Sequence, residues 1–156
     1  MVKNKITILD KIISYKYMAD NSILLSRYIQ QILEESEEVK AILGTDQHRI
    51  FPLLQPDNLT FPFIVHSRNS ITVTYTKDIE YGPVGWTNEV SYIVSCVSDN
   101  YIQCLELANA VRHAMETYRW RDEDIYIHPI QINYITEYTT EQNAFVQEIQ
   151  FKIYVE

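Results

Sequence analysis

Residues 130–155 read IQINYITEYTTEQNAFVQEIQFKIYV. Ile130, Ile132, Tyr134, Thr136 and Tyr138 recur at every second position, and Phe145, Ile149, Phe151, Ile153 and Val155 alternate again after a polar interval from Thr139 to Asn143. A side-chain period of two belongs to a strand with one face against a core, and aromatic and β-branched residues suit that pleated surface. Two such runs around a polar turn predict a long antiparallel hairpin.

Working upstream, the pattern switches between strand and helix periods. Phe63 to Ser67 is a short apolar run, Thr72 to Thr76 alternates, and Val90, Tyr92, Val94 and Cys96 share one strand face. A connector from Lys77 to Asn88, with Gly82, Pro83 and Gly85, projects between the last two. Asp99 or Asn100 then caps a helix whose stripe comprises Tyr101, Cys104, Leu105, Ala108, Val111, Met115 and Tyr118. Nearer the N-terminus, Asn21 and Ser22 are good caps for a helix over 22–35, with Leu25, Tyr28, Ile29 and Ile32 on one face. Ser36 caps a second, short helix with Glu37 and Glu38 in its first turn and Gly44 as a left-handed stop. Thr45 to Thr60, with Pro52 and Pro56, is a surface connector. The expected fold is α+β: an antiparallel β-sheet with helices packed on one face and a long C-terminal β-hairpin.

The chain has 156 residues, 46% of them apolar and 22% charged, enough for one core and short for two domains. No run approaches the roughly 20 apolar residues of a membrane span. The net charge of −8 disfavours a sequence-independent grip on nucleic-acid phosphates, which needs clustered cations. That charge is uneven: residues 1–20 carry +2 and residues 21–156 carry −10. Residues 1–20 therefore read as an extension or arm, and 21–156 as a single domain. Ile6, Leu9, Ile13 and Tyr17 recur at helical spacing, consistent with a first core helix or an arm crossing to a neighbouring subunit. Charged residues interrupt any apolar h-region in this segment, so no signal peptide is expected.

Little in the sequence carries chemistry. The histidines His48, His66, His113 and His128 have no metal-ligand spacing. Cys96 and Cys104 lie on apolar faces, where free cysteine behaves as a small hydrophobe. There is no G-x-S-x-G, no glycine-rich phosphate loop and no H-E-x-x-H. Neither cofactor nor metal is expected. The acidic groups Glu34, Glu35, Glu37, Glu38 and Asp122, Glu123, Asp124 read as solvated, because acid-base work needs burial to separate the pKa values of paired carboxylates. Tyr81, Val84 and Trp86 in the inter-strand connector, with Ile13 and Tyr17 in the leading segment, are aromatic and apolar residues at exposed places and are interface candidates, since Tyr and Trp are enriched at protein interfaces.

Four segments carry a resemblance. They are Phe61-Pro62-Phe63-Ile64-Val65, Tyr92-Ile93-Val94-Ser95-Cys96-Val97, the helix from Leu105 to Met115 with Ala108, Val111 and Arg112, and the terminal Phe151-Lys152-Ile153-Tyr154-Val155. In this order, behind two short helices, they resemble the tail-terminator or tail-completion proteins of tailed phages over residues 22–156. The first 20 residues and the tyrosine-rich hairpin depart from that pattern. The resemblance implies a non-enzymatic function: a homo-oligomer, a hexameric ring, that caps the tail tube, ends its polymerisation and offers a surface to the head connector. Its partners are then the tail tube protein and the head connector protein, with no sequence-specific nucleic acid and no membrane. Its place is the virion tail, assembled in the bacterial host cytoplasm. Glu37, Glu38, Asp122, Glu123 and Asp124 become channel-lining candidates, since an acidic lumen repels passing DNA. The alternatives are a small-molecule-binding module or enzyme with a helix-sheet pocket around His66, His128 and Glu89, or a head-tail adaptor or tube subunit.

Overall fold

A computed structural model describes residues 22–44, 49–53, 60–74, 87–121 and 125–156. Helix α1 covers 22–35. It is followed by α2 (Glu37–Leu43), β1 (Ile50–Pro52), β2 (Phe63–Thr74), β3 (Thr87–Ser98), α3 (Tyr101–Thr117), β4 (Trp120–Arg121), β5 (Tyr126–Ile127), β6 (Gln131–Thr139) and β7 (Phe145–Val155). The seven strands form one sheet in the order β1-β2-β3-β7-β5-β4, and β6 pairs with the same margin of β7 that β5 extends. The fold is α+β, with the helices on one face and the β6–β7 hairpin at the C-terminal end, as the sequence predicts.

The helix ends follow local chemistry. The Ser36 side chain accepts from Val39 N at 3.4 Å, and Glu37 and Glu38 occupy the positive end of α2. Gly44 ends that helix at φ +88°, a region costly for any residue with a Cβ, and its N–H donates to Lys40 O at 2.8 Å. Asn100 caps α3 by accepting from Gln103 N at 3.2 Å.

Alternation along the central strands sorts side chains into two faces. Val90 opposes Ile153, Tyr92 opposes Phe151 and Val94 opposes Ile149. All six are buried and pack against Leu25, Ile29 and Leu33 of α1 and Leu107, Val111 and Met115 of α3. Burying each such side chain contributes about 1.5–3 kcal/mol, so this layer dominates stability. Glu89, Ser91, Ile93 and Ser95 of β3, with Glu148, Gln150, Lys152 and Tyr154 of β7, point to the other face. Among the described residues no helix covers it.

Four details differ from the expectation. The connector from Thr45 to Thr60 contains β1, which pairs in parallel with β2, so the sheet is mixed at this margin; Pro52 lacks a donor and suits an edge strand. The two runs Phe63–Ser67 and Thr72–Thr76 belong to one strand through Thr74, joined by a bulge between Arg68 and Ser70 that offsets their alternation. A second bulge, between Ile132 and Tyr134, puts Ile132 on the helix-covered face and Tyr134, Thr136 and Tyr138 on the bare one. The α3 stripe is rotated: Cys104, Leu107, Ala110, Val111 and Met115 are buried, whereas Tyr101 and Leu105 are exposed. The helix lies over β3 and β7, and its angle of approach, which periodicity alone does not specify, selects the buried stripe.

Candidate assembly surface

The bare face has a polar stretch and an apolar end. On the polar stretch Lys152 Nζ lies 3.7 Å from Glu89 Oε1, and Gln150 Nε2 donates to Ser91 Oγ. The Tyr138 hydroxyl donates to Glu148 Oε2 at 3.1 Å. Burial, and then the adjacent Glu148 carboxylate, raise the Tyr138 phenol above its ordinary pKa and keep it a donor. At the other end Phe63, Val97, Ala144 and Val146 form a small second core with Phe51, Phe61 and Val65 against it. Phe61 stacks on Phe63 with centroids 5.7 Å apart. An open cleft of about 500 Å³ lies there, with Glu141 and Tyr138 among its walls.

Both margins of the four long strands are open among the described residues. β6 pairs only with β7, and it exposes Tyr134 (47%), Ile135 (43%) and Tyr138 (49%). On the other side β1 pairs with β2 only at Ile64, Val65 and His66, so no strand among the described residues lies beyond residues 67–74. Open edges present rows of unpaired N–H and C=O groups, which natural proteins cover or use.

The helix-covered face holds a directional polar chain. Gln30 Nε2 donates to Glu34 Oε1 at 2.7 Å and to Ile50 O at 3.1 Å, so Gln30 Oε1 must accept from His66 Nε2–H. His66 Nδ1 then accepts from the Tyr92 hydroxyl at 2.6 Å, and Tyr92 is itself hydrogen-bonded to Ser26. Burial lowers the His66 pKa to about 4, the neutral state this chain requires. The network ties α1 to β1, β2 and β3.

The predicted site residues are distributed as follows. Glu37 and Glu38 are exposed on α2, on the helix layer and away from the bare face; Glu38 Oε1 lies 2.8 Å from His113 Nδ1 and Glu37 pairs with Lys40. Ile13, Tyr17, Tyr81, Val84, Trp86, Asp122, Glu123 and Asp124 lie outside the described residues. The alternative pocket is not assembled: His66 lies on the helix-covered face, Glu89 on the bare face, and His128 beside Glu156 at 3.4 Å. The shallow cleft beside His66 is lined by Ser26, Arg27, Gln30, Gln31, Glu34 and Pro52, with neither of the other two. Cys96 and Cys104 are buried, and burial raises both thiol pKa values, with Cys104 Sγ donating to Cys96 O at 3.3 Å. Among the described residues no three His, Cys, Asp or Glu side chains converge as a metal site needs, and no helix is long and apolar enough to cross a membrane. The sequence reading missed the two open edges. Its available signal was the tyrosine enrichment of the hairpin.

No protein-family model matches the sequence, and no curated protein matches it. Among solved structures, the fold is similar to a chain in the virion of a native gene transfer agent particle, with a TM-score of 0.64 and 16% identity. The similarity covers 82% of this chain and 91% of that one. It establishes a shared fold.

Proposed function

We propose that this chain is a structural protein of a phage-type virion that forms a homo-oligomeric ring at the end of a tail tube, stops tube polymerisation and provides the surface for head joining. The observation that carries this reading is the one-sided sheet, whose helices cover one face and whose other face carries a polar stretch that no helix covers among the described residues. Copies arranged with that face inward make a channel wall, with the helix layer outside. The fold shared with a gene transfer agent virion chain supports the same class of role, as do the four sequence segments that resemble tail terminators.

In this arrangement Glu89, Glu141 and Glu148 of the bare-face side take the channel role, and Lys152 partly offsets them. Glu37 and Glu38 belong to the outer layer, and Asp122 to Asp124 remain proposed for the channel mouth. Ile13, Tyr17, Tyr81, Val84 and Trp86 remain proposed for contacts with adjacent subunits or rings. A ring ends growth when one face complements the tube and the far face does not. Its partners are the tail tube protein and the head connector protein, and its place is the virion tail, built in the cytoplasm of a bacterial host. Adding the protein to polymerising tail tubes tests this: tubes capped at a limited length support termination, while co-polymerisation identifies a tube subunit and unchanged growth sinks both.

A further inference from the structure

The two open margins of the sheet match each other. We propose that the outer edge of β6 pairs antiparallel with residues 67–73 of β2 in a second copy, in the register that sets Ile71 opposite Ile135 and Arg68 opposite Glu137. This inference rests on the ring reading above and names the seam that would close it.

Strand direction permits the union. β2, β3, β7 and β6 are antiparallel in succession, so β6 of one copy runs opposite to β2 of the next and the alternation continues across the seam. The available lengths also agree, since β6 spans nine residues and, among the described residues, pairs only with β7. Because the two edges differ, the contact is head-to-tail and propagates until rotation closes it.

Side-chain chemistry selects the register. On the bare face β2 presents Ser67, Ser70 and Thr72, while β6 presents Tyr134, Thr136 and Tyr138. On the helix-covered face β2 presents Arg68, Ile71 and Val73, while β6 presents Ile132, Ile135 and Glu137. With Ile71 against Ile135, alternation places Thr72 against Tyr134 and Ser70 against Thr136. Each strand has one bulged asparagine, Asn69 in β2 and Asn133 in β6. Skipping those residues, as each strand already does toward its own neighbour, brings Val73 against Ile132, Arg68 against Glu137 and Ser67 against Tyr138. Apolar meets apolar, hydroxyl meets hydroxyl, and the exposed cation of one edge meets the carboxylate of the other. Bulges also increase strand twist, which a closed wall requires.

Disulfide trapping in the full-length protein tests the register, because directly opposed residues in antiparallel strands have Cα atoms about 4.5–5.5 Å apart, within disulfide reach. The variant Ser70→Cys/Thr136→Cys, and independently Thr72→Cys/Tyr134→Cys, should give a covalent ladder on mild oxidation that ends at the mass of the native assembly. The single variants should give no ladder. An assembly intact by native mass spectrometry with neither pair cross-linking overturns the seam and leaves the ring reading standing. Covalent dimers from Ile135→Cys alone show β6 pairing with itself and overturn the seam as well. A protein that stays monomeric beside polymerising tubes overturns the ring reading itself.

Discussion

The Tyr92 hydroxyl and His66 Nδ1 meet 2.6 Å apart across neighbouring strands, with Tyr92 as donor and the imidazole neutral. Folding therefore holds His66 at a pKa of about 4, below the ordinary 6.5. A histidine whose folded pKa is depressed stabilises the fold fully above about pH 6.5, and that contribution falls away as the pH drops towards 4. The loss reaches about 3 kcal/mol, from about 1.4 kcal/mol per pH unit. Urea unfolding of wild type and His66→Gln across this window checks it: the variant should lack this part of the slope, and parallel slopes would refute it.

Removing the donor tests the same chain at fixed pH. Tyr92→Phe keeps the ring in the core but leaves the buried His66 Nδ1 without its donor. The expected cost is about 1–3 kcal/mol, that of an unsatisfied buried acceptor. Thermal unfolding at pH 7.5 measures it, and a change under about 0.5 kcal/mol would mean the bond adds nothing.

The two sheet faces should respond differently to truncation. Phe151→Ala removes a fully buried ring facing the helices and should cost about 3–5 kcal/mol. Thr136→Ala on the bare face should stay within about 0.5 kcal/mol in the isolated chain. Comparable losses at both positions in chemical denaturation would contradict the one-sided core.

Gly44 and Asn143 both have positive φ, at 88° and 59°. Nothing lies within 4 Å of a Cβ built at Gly44, so Gly44→Ala isolates backbone strain, expected at about 1–3 kcal/mol because φ 88° with ψ 178° is a region populated essentially by glycine. Asn143→Gly should be neutral or slightly stabilising, because glycine tolerates that region at least as well. The pair can be compared by midpoint shifts in one urea series.

The thiols should be silent in the native state. Cys96 and Cys104 are buried with raised pKa values, so Ellman's reagent should titrate two thiols in denaturant and react far more slowly without it. Rapid native reaction at either one would place it at the surface.

The alternation of Val90, Tyr92, Val94 and Cys96 was legible because a straight strand maps position parity onto faces. The same logic failed across Asn69 and Asn133, where one extra residue reverses parity and an asparagine leaves no mark in a hydrophobic pattern. β1 was hidden because three residues ending in proline have too little periodicity to read. The relay was invisible for another reason: Ser26, Gln30, His66 and Tyr92 come from α1, β2 and β3 and have no local spacing in common. The α3 stripe was read with part of its membership wrong, since Leu105 and Leu107 are equally apolar and only the sheet's position decides between them. The hairpin's tyrosines stood in the sequence only as a departure from the resembled pattern, because the free backbone edge beside them is a property of strand order.

The division of β3 and β7 into a covered and an uncovered face has a consequence for how this protein can diverge. Over Glu89–Ser95 and Glu148–Tyr154 every second residue is constrained by packing volume, while those between them touch little of the main core; beyond that stretch Val97 and Val146 belong to the second core. Lineages could therefore rewrite the charge of one side, position by position, without refolding the other. Electrostatic character and thermodynamic robustness would be inherited as separate traits on interleaved positions of the same strands.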